Sequence, residues 1–405
     1  MPGTKPMGPG VLYAKKETTP FTFQAFAATD AIRHLGVPQI GDSTRERLEL
    51  NVSRGDRGRF HESMGRYNDV EFTIEVPLWG VGGTNPGDAH AARQAIMESG
   101  AGLAVSTVSE TSRTFESNKA APNKTFSAYY VDREAVLGQY LIGCIIQSVG
   151  LEFAKDSADG VKMVFAGVAA RKVEAYKTAL AVAIDSADAT AMTISPNAIR
   201  DGSDAAAKTG LEVYYKIGDE IVKVTAHNGS TGVCTIARNQ FGTSATTHLI
   251  NAVVTPYAEA PTYQEAGVIA GPHDWTFNDG SAARNLRSLS YTLETGRAFD
   301  MLSSGQSASA ALHNKMLNGT GSLSFILDNT RNDFFNWLDL GTDKDGAITV
   351  GSTAKSIFTI TLGNMHFIEP VPKGLAENDI AEVTMSFRTR DTATALKPQL
   401  KIVET

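Results

Sequence analysis

VKMVF at residues 161–165 and VTMSF at residues 383–387 carry Val, Met and Phe at the same three positions, with polar or small residues between them. The alternation has a period of two, the mark of a strand with one buried face. Met suits such a row because its flexible thioether fills irregular gaps in a core. Recurrence of the pattern far along one chain raises the question of an internal duplication. That question comes first, because a duplication governs every local reading.

Working outward from VKMVF, the preceding segments read as strand, loop, strand, helix and strand. RLELNVSRG alternates Leu48, Leu50 and Val52 with Glu49, Asn51 and Ser53. A charged loop follows, with Arg54, Asp56, Arg57, Arg59, Glu62 and Arg66. DVEFTIEVPL sets Val70, Phe72, Ile74, Val76 and Leu78 on one face, with Glu71, Thr73 and Glu75 on the other. NPGDAHAARQAIMESGAG reads as a helix, with Asp88 as N-cap and Gly100 as the C′ glycine. A loop from about residue 106 to 125, rich in Ser, Thr and Asn, leads to YLIGCIIQSVGLEF and then to VKMVF itself.

Outward from VTMSF the same order returns. RSLSYTLETG, with Leu289, Tyr291 and Leu293, matches the first strand, and Gly296 matches Gly55. GTGSLSFILDN matches Leu323, Phe325 and Leu327 to Phe72, Ile74 and Val76. TRNDFFNWLDLG is the helix, ending at Gly341, and SIFTITLGNMHF is the third strand. The predicted repeat core is Leu48, Phe72, Ile74, Val161, Met163 and Phe165 in one copy, and Leu289, Phe325, Val383, Met385 and Phe387 in the other. Between the copies lie short strands and a His-Asn-Gly turn at residues 227–229, a hairpin signal. The expected organisation is an N-terminal arm (1–45), a first repeat (46–180), a small all-β insertion (181–258), a linker (259–285) and a second repeat (286–405). Its local hairpins make the insertion dispensable for the rest of the fold.

The chain has 405 residues, 42% hydrophobic and 20% charged, an ordinary globular balance; its 37 glycines favour turns and strands over long helices. No apolar run reaches the roughly 18 residues of a membrane helix, and MPGTKPMGPGVLYAKK lacks the apolar centre of a secretory signal. A net charge of −7 argues against a protein that wraps nucleic acid, yet permits a surface that nucleic acid passes without sticking. Cys144 and Cys234 read as free thiols of an intracellular product.

No catalytic or metal-binding constellation stands out. The eight histidines read as scattered surface or interface residues, with no metal-ligand spacing. GVGGTNPG at residues 80–87 lacks the Gly-Lys-Ser/Thr ending of a phosphate loop. DKDG at residues 343–346 lacks the later ligands of a calcium loop and reads as a hairpin turn. Asp219 and Glu220 are neighbours on a strand, so they point to opposite faces and read as a solvated edge, not an acid/base pair. No catalytic residue, cofactor or metal is expected.

The order of elements in each copy resembles the tail tube proteins of long-tailed bacteriophages. The insertion adds a second match. IGDEIVKVTAHNGSTGVCTIARNQFGTSATTH is similar to a module of phage tail and baseplate proteins at Ile217, Gly218, Glu220, Thr235, Ala237, Arg238, Gly242, Thr243 and His248. It departs from that module at Asp219, Cys234 and Asn239. The resemblance implies a mainly β chain of two tandem β-sandwich or barrel domains, each with one flanking helix, plus the small β insertion. It implies three chains in a pseudo-sixfold ring, with rings stacked into a tube through which double-stranded DNA passes on ejection. Implied partners are further copies of the chain and the tape-measure, tail-tip and tail-terminator proteins. Implied locations are the virion tail and, during assembly, the host cytoplasm. The inner tube of a contractile injection machine, or another tail-tip β protein, is the alternative. Under this resemblance Glu49, Glu71 and Glu75 are expected to line the lumen, and Arg54, Arg57, Arg59 and Arg66 to lie in loops between rings.

Overall fold

Alternating strands of this kind have one apolar face each, and the chain buries those faces by closing its sheet on itself twice. The computed structural model describes residues 10–42, 45–50, 61–67, 69–78, 91–108, 112–117, 124–132, 134–154, 161–201, 207–263, 276–278, 283–301, 310–314, 316–326, 337–350, 357–372, 382–390 and 398–405. The fold is mainly β.

The first part runs β1 (Val11–Lys16), β2 (Ala31–Ile32), β3 (Gln39–Ile40), β4 (Arg45–Leu50), β5 (His61–Tyr67) and β6 (Val70–Pro77). Helix α1 follows, an α-helical turn (Ala91–Gln94) continued by a π-helical one (Ala95–Gly100). Then come β7 (Ala104–Val108), β8 (Ser112–Glu116), β9 (Phe126–Val131), β10 (Leu137–Ala154) and β11 (Lys162–Tyr176). Antiparallel pairing leads from β1 to β9, β10, β11, β6 and β3, and β2 pairs back onto β1. The ring therefore closes through the run from β2 to β3.

The last part runs β19 (Thr276–Asn278), β20 (Ala283–Glu294), β21 (Arg297–Met301), β22 (Ala310–Asn314), β23 (Asn318–Ile326), β24 (Lys344–Val350), β25 (Phe358–Pro372), β26 (Glu382–Thr389) and β27 (Leu400–Glu404). Residues 337–339 are helical. Here the ring is β19, β24, β25, β26, β23 and β20, closed by the pairing of β20 with β19. The two rings match strand for strand and in chain order.

The first ring corrects several matches drawn from sequence. The counterpart of β20 is not RLELNVSRG but the β2–β3 run, which pairs with β6 as β20 pairs with β23. Leu48 and Glu49 lie instead in β4, which forms a two-stranded ribbon with β5 and pairs Leu48 with Ser63 and Glu49 with Glu62. RLEL is thus a strand, but one of a ribbon outside the barrel sheet. The same ribbon recurs as β21 and β22. Residues 10–40, read as an arm, supply three strands of the first ring, with Leu12, Tyr13 and Ala14 fully buried. The end of the supposed linker is likewise β19, a strand of the second ring.

Strand β6 also aligns differently with β23. Val76 faces Met163 as Leu323 faces Met385, so Gly321 and Gly319 stand where Ile74 and Phe72 do. In the second ring the space is filled from neighbouring strands: Tyr291 stacks on Phe387 at 6.0 Å, beside Gly321. A Cβ at Gly321 would come within 2.6 Å of that Phe387 ring. Leu327 lies outside the described residues.

Gly100 is not a left-handed C′ residue. The chain leaves α1 through Gly102, at φ +71°, with the Leu103 N–H donating to the Met97 carbonyl at 3.0 Å. Gly100 is needed for close approach, because a Cβ there would meet Phe126 at 2.7 Å and Ile146 at 2.9 Å. Gly341 does take the left-handed form, at φ +58°. Asp88 lies outside the described residues. DKDG is not a hairpin turn: Lys344 begins β24.

Between the rings, β12 (Thr178–Ala179), β13 (Ala191–Thr193), β15 (Ala207–Ile217), β16 (Glu220–Asn228), β17 (Val233–Ala237) and β18 (Val253–Pro256) form a sheet of their own in the order β12-β18-β15-β16-β17-β13. Strand β14 (Ile199–Asp201) pairs back onto β11. The His-Asn-Gly turn is longer than a two-residue hairpin. The Asn228 carboxamide oxygen accepts from the N–H groups of Ser230 and Thr231, and Gly232 takes φ +75°.

Candidate assembly interfaces

The two rings are one continuous sheet. Residues 148–154 of β10 pair antiparallel with residues 288–294 of β20, from Ser148 opposite Glu294 to Ala154 opposite Ser288. At this seam β10 still holds β11 and β20 still holds β23, so the sheet order is β3-β6-β11-β10-β20-β23-β26-β25.

Cross-strand pairs point to the same side, so the register sorts this sheet into rows. One set of rows is apolar and crosses the seam: Val76, Met163, Leu151, Tyr291, Gly321, Phe387 and Phe367 stand in line. Phe72, Ile74, Val161, Met163, Phe165, Leu289, Phe325, Val383, Met385 and Phe387 are all buried in this one core. Nothing is described of the Leu48 side chain.

The alternate rows form the other face. Glu75, Val164, Gly150, Thr292, Thr320 and Arg388 make one row; Lys162, Glu152, Ser290, Ser322 and Ser386 make the next. Glu71 is exposed on this face, and Glu75 is half-buried, 3.3 Å from Lys162, which also reaches Glu152 at 3.3 Å. Among the described side chains the face is therefore mostly hydroxyls and small residues, with Glu71, Glu75, Glu152 and Glu294 as carboxylates and Lys162 and Arg388 as cations. Glu49 is not on it, because β4 leaves the sheet.

Arg54, Arg57 and Arg59 lie outside the described residues. Arg66 is on strand β5, not in a loop. The ribbon β4–β5 stands in the chain between β3 and β6, and the ribbon β21–β22 between β20 and β23.

Polar side chains lock the two rings together beyond the seam. Arg297, at the start of β21, is 2% exposed and donates to the carbonyls of Ser99 (2.5 Å), Gly100 (2.5 Å) and Lys124 (2.7 Å). The last carbonyls of a helix have no partner within it, and here the second ring supplies one to α1. Burial lowers the Arg297 guanidinium to about 10, still charged at neutral pH. Arg93 of α1 pairs at 3.1 Å with Glu404 of β27, both buried. Strand β27 itself bridges β25 and β8.

The inserted sheet packs on the far halves of β10 and β11. Tyr13, Tyr129, Tyr140, Ile142, Val173 and Ala175 of the first ring share one core with Leu180, Ile184, Val213, Tyr215 and Val254 of the insertion. Tyr129 and Tyr140 stack at 3.9 Å and 9°. Burial pushes both phenols well up. The insertion is therefore part of the first ring's core and not a dispensable appendage. Cys144 and Cys234 are free and buried, and burial raises both thiols, Cys234 to about 12.

Within the insertion, Glu220 is 1% exposed, against the expectation of a solvated edge. Strand β16 turns Glu220 inward while Asp219 stays exposed in the Gly218 turn. Arg238 forks onto the carboxylate with Nε at 2.7 Å and Nη2 on the other oxygen. His248 Nε2 stands 2.7 Å away, and the Thr246 N–H donates at 3.2 Å. Burial alone would raise this carboxyl; the bonds from Arg238, His248 and Thr246 outweigh it and hold the carboxyl below its ordinary value. The Thr243 hydroxyl accepts from the Ile221 N–H at 3.1 Å, and Gly242 takes φ +74°. Of the spaced residues singled out in the sequence, Glu220, Arg238 and His248 thus meet at one ion cluster. His248 and the buried His227 depart from the surface positions expected of the histidines.

No helix among the described residues is long and apolar enough to cross a membrane. No protein-family model matches the chain, and no curated protein matches it either.

Proposed function

We propose that the chain is a structural subunit of a phage tail tube, a non-enzymatic protein whose rings stack into the conduit for DNA ejection. One observation carries this reading: the same six-stranded ring occurs twice and is joined edge to edge into a single sheet with one apolar and one polar face. A chain that already fuses two equivalent units through a repeated strand edge has the architecture of an arc. Three such arcs give six equivalent units with pseudo-sixfold symmetry, a closed assembly of the kind homo-oligomers favour. The polar face, with its hydroxyls and its Glu71, Glu75, Glu152 and Glu294, supplies a wall that DNA can pass without being held. Further copies of the chain are the principal partner. Tape-measure, tail-tip and tail-terminator proteins are the others this role requires. The protein acts in the virion tail and collects in the host cytoplasm before assembly.

Electron microscopy of the purified protein tests the reading. The expected images are end-on rings of threefold symmetry with six density lobes, stacked in side view. Rings of six whole chains, or a protein that stays monomeric at millimolar concentration, would refute it.

A further inference from the structure

The internal seam has two unmatched counterparts in the same chain. In the first ring, Val149 of β10 faces Phe165; in the second, Phe367 of β25 faces Phe387. Residues 148–153 of β10 therefore correspond to residues 366–372 of β25, with Ile368 the extra residue of a bulge between Phe367 and Glu369. On the other strand, Leu293 faces Gly319, which faces Thr389; Ile40 faces Phe72, which faces Gly167. Thr389 and Gly167 each stand two residues beyond the Phe of their pentapeptide. Residues 291–294 of β20 thus correspond to residues 38–41; upstream the Leu35 N–H donates to the Glu75 carbonyl, so Gly36 and Val37 bulge out of the register.

The seam uses both sides of each of its strands. Among the described residues, its counterparts use only one: residues 366–372 pair with β26 alone, and β3 pairs with β6 alone. Each open edge carries a solvent-facing aliphatic side chain, Ile368 at 44% exposure and Val37 at 52%. An open strand edge is a template for another strand.

We propose that successive copies of the chain join head to tail by repeating the seam, with residues 366–370 of one copy pairing antiparallel with residues 38–41 of the next. The register follows from the correspondence. Phe367 meets Ile40 as Val149 meets Leu293, and Glu369 meets Gln39 as Gly150 meets Thr292. The occupant of each edge is a second copy of this chain, because the matching edge is the one this chain already uses internally.

The two joints differ in one respect. Residues 148–154 and 288–294 contain no proline, whereas the open edges hold Pro38, Pro370 and Pro372. Proline has no N–H to give a ladder and is found at sheet edges, where it blunts indiscriminate pairing. The joint between copies is therefore the weaker of the two. Single copies persist when dilute, and assembly waits for high concentration or a template.

This inference rests on the assembly reading above, and complementation separates the two. In the full-length chain, Val37→Lys spoils one edge and Ile368→Lys the other. Both sites are exposed, so folding is retained, as thermal denaturation will verify. Each variant alone is expected to stay monomeric by light scattering where wild type assembles. An equimolar mixture is expected to double in mass and stop, because one intact pair of edges remains. A mixture that stays monomeric, or a single variant that assembles like wild type, overturns the joint while the assembly reading stands. Wild type that never assembles overturns both. Register is read by oxidising Gln39→Cys/Glu369→Cys, with the native thiols buried: a ladder of cross-linked multimers is expected. Cross-linked dimers from Gln39→Cys alone would mean a symmetric contact and overturn the head-to-tail joint. Replacing Pro370 with Leu and Pro372 with Phe, the seam's residues at those places, should lower the concentration needed for assembly about tenfold; an unchanged or higher one overturns the proline argument.

Discussion

Glu220 and Arg297 are charges placed where water does not reach, and each is stabilised by a fixed set of partners. Replacing Glu220 with Ala leaves Arg238, itself only 6% exposed, without its counter-charge. Breaking a buried pair by removing one member costs about 3–5 kcal/mol, so denaturant titration of Glu220→Ala should show a loss of that size. Because the carboxyl is held below its ordinary value, its contribution is present above the unfolded value of about 4.3 and is lost as pH falls through the lower folded one. The melting-temperature gap between wild type and Glu220→Gln should therefore be widest near neutrality and shrink below about pH 4. A gap that widens on acidification would contradict the ion cluster. Arg297→Met removes two charge-assisted bonds from the end of α1 and a third from the Lys124 carbonyl, at roughly 1.5–3 kcal/mol each before any compensation by water. It is expected to lower the melting temperature markedly, with Arg297→Lys intermediate, because an ammonium cannot reproduce the planar fork. Equal melting of Arg297→Met and wild type would show that the cap is incidental.

At the scale of elements, deleting the insertion is the sharpest test of the core described above. Replacing residues 183–256 by a flexible linker would uncover Tyr13, Tyr129, Tyr140, Ile142 and Val173 of the first ring. At about 1.5–3 kcal/mol per large apolar side chain, that loss rivals the entire stability of an ordinary domain, about 5–15 kcal/mol. The expected product is insoluble or exposes dye-binding apolar surface; a soluble, cooperatively melting protein would show that the two sheets are independent. The same packing explains what the sequence conceals. Strands β6, β20 and β26, and the seam half of β10 with the start of β11, are legible because one face meets core and the other meets polar groups or solvent. Strand β9, FSAYYV, is buried at every position, so it shows no alternation. The β2–β3 run is broken by Gly36, Val37 and Pro38, and the intact alternation of RLEL was the more visible match. Glycines at 319 and 321 displaced the apparent register of β23, since the volume they lack is filled from β20 and β26. The ion cluster was legible only as spaced residues, because alternation along a strand cannot tell which carboxylate of Asp219 and Glu220 a distant Arg will meet.

At the scale of the whole molecule, the polar face of the shared sheet is the part that the proposed function depends on. Duplex DNA bears one negative charge per about 1.7 Å, and each basic contact to it releases counterions and adds affinity. A wall rich in Lys and Arg would therefore grip the DNA, while hydroxyls and carboxylates leave a hydrated gap. The rows that cross the seam are mostly of the second kind: Lys162 is held between Glu75 and Glu152, and Arg388 is the one other cation among their described residues. Such exposed pairs contribute only about 0–1 kcal/mol each to stability, so reversing them should spare the fold. Glu71→Lys/Glu75→Lys is expected to fold and assemble like wild type, to bind duplex DNA at low salt where wild type does not, and to slow DNA release from particles built with it. Salt dependence distinguishes this from misfolding: binding by the variant should weaken steeply as salt rises. Unchanged DNA affinity together with unchanged release would mean that this face points outward, and the wall facing the DNA would have to be sought on the ribbons β4–β5 and β21–β22.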